Sequence, residues 1–252
     1  MKIAIISGRY PASNFDSHIN HKIYADTHNY TYINCNYPTR ARNPYFNKVE
    51  YINDFIRFFD FIMWIDDDAF FLNFKKSLDE FMPKNKNFIS FCKSPDYKQL
   101  KTFISSGQFI LKCNEIGQSF INDIQKINIE DVKKNWSDKL GYYTNGDQDA
   151  MIHLLLHHKK YQNKFELFNY KKFNSRYENI AILDLHKIFI LHFTGTVDVK
   201  MKNYTQTQKL LNLPPHLVCS NYLDNYNLKK NNTILKKSFF KKIKSKLKYF
   251  SR

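Results

Sequence analysis

The chain has 252 residues, of which 43% are hydrophobic and 17% aromatic, with only six Gly and seven Pro. That composition supplies enough apolar surface to offset the entropy of ordering, which excludes a disordered chain, a fibre and a disulfide-stapled miniprotein. A net charge of +16, from 39 basic against 23 acidic residues, points to an anionic partner: nucleic acid, phospholipid headgroups or a phosphorylated substrate. Ten of the basic residues and no acid fall within residues 229–252, so residues 1–228 carry only +6.

In chain order, the run Ile3–Ile6 predicts a buried first strand ending in the turn Ser7-Gly8-Arg9. A helix follows over Ser17–His28, then a second strand over Tyr30–Cys35. Between Phe46 and Phe59, Val49, Ile52, Ile56 and Phe59 share one face of a second helix. Phe61–Ile65 is a continuous apolar run of the kind found in central parallel strands, and it stops at Asp66-Asp67-Asp68. Phe88–Phe91 and Phe109–Leu111 are further strands, Glu115–Gln125 and Asp147–His157 are helices, and a late strand, Ile188–Leu191, runs into His192. This alternation predicts one α/β domain over residues 1–215. After Leu213-Pro214-Pro215 the character changes. Leu235, Phe239, Ile243 and Leu247 recur every four residues among lysines, which predicts a basic amphipathic helix in a tail spanning 216–252, with residues 229–252 lying on an anionic membrane surface.

The four cysteines, Cys35, Cys92, Cys113 and Cys219, lie far apart without a CxxC pair, so reduced thiols are expected rather than a zinc site or a disulfide framework. The apolar run at the N-terminus is too short for a secretory signal, and no stretch approaches the roughly 20 apolar residues of a spanning helix. The expected location is cytoplasmic, peripheral on the inner face of the cytoplasmic membrane.

Three constellations carry chemistry. Asp66-Asp67-Asp68 follows a buried strand, at the carboxyl edge of a parallel sheet, where open α/β folds bind ligands. Adjacent like charges repel, and a divalent cation relieves that repulsion; oxygen ligands suit Mg²⁺ or Mn²⁺ bound together with substrate phosphates. The plain structural reading is a solvated acidic turn. His192, at the end of an apolar strand and followed by Phe193-Thr194-Gly195, reads equally as a hydrogen-bonded core histidine. Thr144-Asn145-Gly146-Asp147-Gln148-Asp149 gathers polar groups at a helix start and reads by itself as an N-cap.

Taken in order, these pieces resemble the metal-dependent retaining glycosyltransferases of GT-A fold, the family of alpha-galactosyltransferases, mannosyltransferases and xyloglucan xylosyltransferases. The resemblance runs from Lys2 to about Val199 through residues 20–30, Pro44–Lys48, Trp64–Ala69, Ser105–Leu111, Asp147–Ala150 and His192–Gly195. It implies a single GT-A-like, Rossmann-like domain with a mixed, mainly parallel sheet. It also implies Mn²⁺ or Mg²⁺ held by Asp66, Asp68 and His192, a nucleotide-diphospho-sugar donor (a UDP-sugar favoured) and a glycan or lipid-linked acceptor. Gln148 resembles the residue beneath the anomeric carbon, with Asp147 and Asp149 beside it. Ser7, Gly8, Arg9, Lys22, Lys48, Asp66, Ser106, Gly107 and Gly195 are placed like donor contacts. The family commonly has a phosphate-clamping Lys within about six residues of the closing His, whereas here Lys200 and Lys202 come eight and ten residues later; the middle of the acidic pair, usually uncharged, is Asp67.

The implied activity is hexosyl or pentosyl transfer with retention, in surface polysaccharide or lipooligosaccharide synthesis. A metal-dependent phosphoryl- or nucleotidyl-transfer or nucleic-acid-binding protein is the alternative, because it too uses an acidic metal site and a basic surface. An electrostatic arm does not need the apolar stripe of the tail, and the sequence carries no recognisable nucleic-acid motif, so no nucleic-acid partner is expected.

Overall fold

The computed structural model describes residues 1–96, 101–181, 183, 187–223 and 226. Its centre is a six-stranded sheet in the order β2-β1-β3-β6-β5-β7, formed by β1 (Ile3–Gly8), β2 (Thr31–Cys35), β3 (Phe61–Ile65), β5 (Ile89–Cys92), β6 (Ser105–Lys112) and β7 (Phe165–Phe168). β1 runs parallel to β2 and β3, β6 is antiparallel to its neighbours β3 and β5, and β7 is parallel to β5, so only β6 is reversed. β1, β3, β5 and β6 are buried almost throughout, which is why β1 and β3 read as apolar runs in sequence. One face packs Ala4, Ile6, Ile62, Trp64, Phe91 and Phe109 in a core with residues of α2 (Asn47–Phe55), α3 (Glu115–Lys126) and α5 (Asp147–His157).

A second, three-stranded sheet is ordered β4-β9-β8, from β4 (Ala69–Phe71), β8 (Ser175–Arg176) and β9 (Ile190–His192). α1 (Ser17–Thr27) contacts β4, and Asn20 clamps it by exchanging hydrogen bonds with the Phe71 backbone at 3.0 and 2.8 Å. Beyond β9, α7 (Val197–Leu211) covers this sheet with Tyr204, in a cluster with Phe70, Leu191 and Phe193. Two short helices, α4 (Ile129–Lys134) and α6 (Tyr170–Phe173), complete the helices of the described residues.

The helix expected over 46–59 is shorter. Chain entry is a 3₁₀ turn at Pro44–Phe46 and the exit a second at Ile56–Phe58, because the chain must tighten to reach β3 three residues later. β6 begins four residues earlier than its apolar run. Its polar start, Ser105-Ser106-Gly107-Gln108, has no strand signature in sequence, but β3 pairs with Gln108 and β5 with Ser105. Met1–Val218 forms one compact unit. Cys35, Cys92 and Cys113 are buried free thiols and Cys219 is exposed. Among the described residues no helix is long and apolar enough to cross a membrane. The amphipathic helix expected within 229–252 lies outside the described residues.

Candidate functional site

The acidic turn is held between two strand pairings. The β3–β6 ladder, with Ile65 opposite Gln108, continues for one more bond as Asp66 N donates to Gly107 O at 2.8 Å. Three residues later the chain enters the second sheet, where Ala69 pairs with His192 and Phe193 N donates to Asp68 O at 3.0 Å. This antiparallel register carries His192 across 124 residues of sequence to Asp68. Its Nε2 lies 2.9 Å from Asp68 Oδ1 and 4.0 Å from Asp66 Oδ2. One ligand atom from each of the three lies within 4.8 Å of the others.

Gly107 makes that approach possible. A Cβ there would stand 2.6 Å from His192 Cε1 and 3.0 Å from Asp66 Oδ2, so any side chain would displace the imidazole. Two carboxylate oxygens and one imidazole nitrogen suit Mn²⁺ or Mg²⁺. Asp68 Oδ1 is buried without a hydrogen-bond donor, which a cation would satisfy. Burial pushes the His192 imidazole below its usual range, against the pull of Asp68, towards the neutral form that metal ligation needs.

Two lysines balance the acids. Lys48, in the first turn of α2, places Nζ 3.2 Å from both Asp66 Oδ1 and Asp147 Oδ2 and donates to Ser106 O at 3.1 Å. Burial would lower its pKa, but Asp147 and Asp66 outweigh burial and keep it charged. Lys200 Nζ is 2.5 Å from Asp68 Oδ2; burial again opposes the charge and Asp68 restores it. Trp64 Nε1 donates to Asp66 Oδ1 at 2.7 Å, which fixes that carboxylate from the core side. Asp67 diverges from its neighbours. It lines the hollow of Asp66 and Asp68 and also a second one, shared with Ser7, Arg9, Ser13 and Asn34, and burial together with Asp68 pushes its carboxyl up to about 6.

α5 brings the last group. Gly146 caps it, Asp147 is its first residue, and Gln148 Oε1 accepts from Ser106 N at 3.0 Å. Gln148, Asp147, Lys48 and Asp66 thus line one hollow beside the acidic cluster. Gly8, Arg9, Lys48, Asp66, Asp68 and Lys200 line the adjoining one. The arrangement can hold a cation on one side and an anionic, phosphate-bearing group on the basic side chains.

No protein-family model matches the chain, and no curated protein matches it in sequence. Solved structures do. A glycosyltransferase involved in the glycosylation of the major capsid of PBCV-1 superposes with a TM-score of 0.62 at 10% identity, over 80% of this chain and 100% of that one. The glycosyltransferase GlyE of Streptococcus pneumoniae TIGR4 superposes with a TM-score of 0.50 at 14% identity, over 78% of this chain and 55% of that one. The chain has the GT-A glycosyltransferase fold.

Within the GT-A fold, Asp66, Asp68 and His192 come together, and Asp66 and Asp68, not Asp67, face the imidazole. Ser7, Gly8 and Arg9 stand at the end of β1, while Ser106, Gly107 and Lys48 form the floor. Two residues expected at the site are engaged elsewhere. Asp149 Oδ2 accepts from Thr144 N at 2.8 Å, Thr144 Oγ1 at 3.0 Å and Gly146 N at 3.3 Å, so it closes the cap of its own helix. Lys22 is on the solvent side of α1, ion-paired with Asp26 one turn on. Gly195, at φ +109°, makes the turn that starts α7 and donates no side chain. That turn explains Lys200. Its N–H closes the first helical turn onto Thr196 O at 2.9 Å, returning the side chain to Asp68 despite the eight-residue separation from His192. Asn174 and Arg176, beside His192 and with Arg176 lining the same hollow as Gln148, carried no sequence signal, since an isolated Asn-Ser-Arg does not announce a strand. Trp64 could have been found as the polar-tipped aromatic two residues before an acid.

Proposed function

We propose that the chain is a metal-dependent glycosyltransferase that moves a hexose or pentose from a nucleotide-diphospho-sugar, a UDP-sugar, to a glycan or lipid-linked acceptor with retention. The observation that carries this reading is the convergence of Asp66, Asp68 and His192 with Lys48 and Lys200 at the carboxyl end of β3 in a GT-A fold. Asp66, Asp68 and His192 would hold a divalent cation, which would supply positive charge to a departing diphosphate. Lys200 is close enough to exchange its contact with Asp68 for a donor phosphate, and Arg9 extends the basic wall. Lys48 holds Asp147 in place for sugar hydroxyls.

Gln148 then stands beneath the anomeric carbon. A carboxamide is a poor nucleophile, and the acids of that hollow, Asp66 and Asp147, are both paired with Lys48. With no carboxylate free to attack or to act as base there, the leaving phosphate itself takes the acceptor proton on the same face of the sugar, which preserves configuration.

The test is hydrolysis of a panel of nucleotide sugars with Mn²⁺ and with EDTA, followed by NMR of the product anomeric proton. The expected result is metal-dependent turnover of one donor with configuration kept. Full turnover in EDTA overturns the metal role. An inverted product makes Asp147 a general base, and release of a sugar phosphate instead of a nucleoside diphosphate supports phosphoryl chemistry. Membrane association through residues 229–252, and a place in surface polysaccharide or lipooligosaccharide synthesis, follow from the sequence reading. Cosedimentation of the full chain with anionic liposomes, lost on truncation after Asn227, is the expected behaviour.

A further inference from the structure

We propose that Arg176, acting through Asn174, fixes His192 in the tautomer that presents a lone pair to Asp66 and Asp68, which makes Arg176 a positioning residue of the metal site; this rests on the metal reading above. The two residues are opposite each other in the parallel β8–β9 pair. Arg176 is 4% exposed and joins none of the ion pairs of the described residues, so its charge is buried with no carboxylate within ion-pair distance, although Asp68 and Glu178 act on it from further away. Such a group is costly to bury, and its placement calls for a reason. Its side-chain hydrogen bonds go to neutral oxygens: Nη1 donates to Asn174 O at 2.7 Å and to Asn174 Oδ1, and Nη2 donates to Ser105 Oγ at 3.4 Å.

A guanidinium has no acceptor. The side-chain atom of Asn174 that faces Arg176 is therefore the carbonyl oxygen, and the amide nitrogen donates to Ser105 Oγ at 3.1 Å. The same Oδ1 lies 3.1 Å from His192 Nδ1. A carbonyl oxygen only accepts, so Nδ1 carries the hydrogen and Nε2 carries the lone pair. That lone pair points at Asp68 Oδ1, which has no hydrogen-bond donor. Two acceptors at 2.9 Å repel each other, and a cation near them turns the repulsion into ligation. Without Arg176, the amide keeps its contact with Ser105 Oγ, but a hydroxyl both donates and accepts and so does not fix which end of the amide faces the imidazole. The amide nitrogen could turn to Nδ1 instead, moving the imidazole hydrogen to Nε2, where it would bond to Asp68 and close the site to metal.

The experiment uses the full chain, with Mn²⁺ alone as the probe. Long-range ¹H–¹⁵N spectra at about pH 8, where imidazoles are neutral, report the His192 tautomer, assigned by the signals lost in His192→Ala. The Nδ1–H form is expected in the wild type and the Nε2–H form in Arg176→Met, with Mn²⁺ affinity weakened roughly 10–100-fold in that variant. Arg176→Lys retains a donor and should fall between. An Arg176→Met protein that keeps the Nδ1–H form and binds Mn²⁺ as the wild type does would overturn the proposal. If Arg176→Met does not fold, Asn174→Asp, which keeps an acceptor facing both neighbours, should hold the Nδ1–H form and Asn174→Leu should release it. Retention of that form in Asn174→Leu would count equally against the relay. A wild type that binds no Mn²⁺ sinks the metal reading instead, and the tautomer spectra, which need no metal, still decide the role of Arg176.

Discussion

Two walls meet at the acidic cluster, and they are built by different means. The acidic turn after β3 is one short stretch of chain, pinned by β6 through Gly107 and by the Trp64 indole through Asp66. The opposite wall draws Asn174 from the end of α6, Arg176 from β8, His192 from β9 and Lys200 from α7, joined by the β8–β9 pairing, side-chain hydrogen bonds and the Lys200–Asp68 ion pair. The first wall concentrates negative charge, and the second supplies the counter-charge and the orientation that make it usable. Damage to the first should therefore remove the function outright, whereas damage to the second should divide it into separable parts.

The largest effect is expected in Asp68→Asn. It removes a ligand, and it also removes the partner that Lys200 and His192 share, so donor hydrolysis should fall by at least about 100-fold and Mn²⁺ binding with it. Turnover close to wild type in this variant would mean that the turn only caps the strand.

Gly107→Ala crosses from one wall to the other. Its new Cβ would lie within 2.6 Å of His192 Cε1, and the ring, not the β6 backbone, has room to give. We expect Mn²⁺ affinity to drop roughly 10–100-fold with the thermal midpoint little changed. An equal loss of stability and of metal would show that the backbone had moved instead.

Lys200→Met should separate the two roles. In the absence of donor Lys200 occupies Asp68 Oδ2, so its removal frees that oxygen, and Mn²⁺ alone should bind as tightly as in the wild type or more tightly. The KM for the donor should rise by about tenfold, the amount a charge-assisted phosphate contact of about 1.4 kcal/mol supplies. A parallel weakening of metal and donor would make Lys200 a structural counter-ion.

The difference between the walls also governs what could be read without a structure. Phe61–Ile65 and the acids after it are contiguous, so an apolar run and an abrupt charge place both the strand and the site. Asp147–His157 was equally legible, because polar groups at a helix start announce their own cap. The other wall depends on register. Nothing in residues 175–176 shows that they pair with 191–192, and a two-residue strand has no periodicity to detect. Lys200 looks too far from His192 until Gly195 and the first turn of α7 fold the intervening chain back. α7 itself buries only Tyr204 and Thr207, too few apolar residues to mark a face. Asp149 misleads in the opposite sense, since a carboxylate beside Gln148 suits chemistry and a capping box alike, and backbone donors claim it.

The smallest effect concerns the support behind the acidic turn. His21 of α1 is fully buried, and its Nε2 lies 2.8 Å from Ala69 O at the start of β4, so the neutral ring donates to the strand that follows Asp68. Burial pushes its pKa down to about 3, against a weaker upward pull from that hydrogen bond. In the unfolded chain the imidazole titrates near its ordinary value of about 6.5. Between these values the unfolded state binds more protons than the native one, so unfolding free energy rises with pH across this window. The contribution is complete above about 6.5 and is lost as pH falls towards 3, with a slope that cannot exceed about 1.4 kcal/mol per pH unit for one proton. Urea unfolding of wild type and His21→Gln at a series of pH values from about 7.5 down to 5 isolates the contribution of His21, because the other titrating groups cancel in the difference. Wild type should lose stability faster than the variant by close to one proton's slope. Parallel curves would show that His21 binds protons as readily in the native state as in the unfolded chain, so that its burial does not weaken protonation.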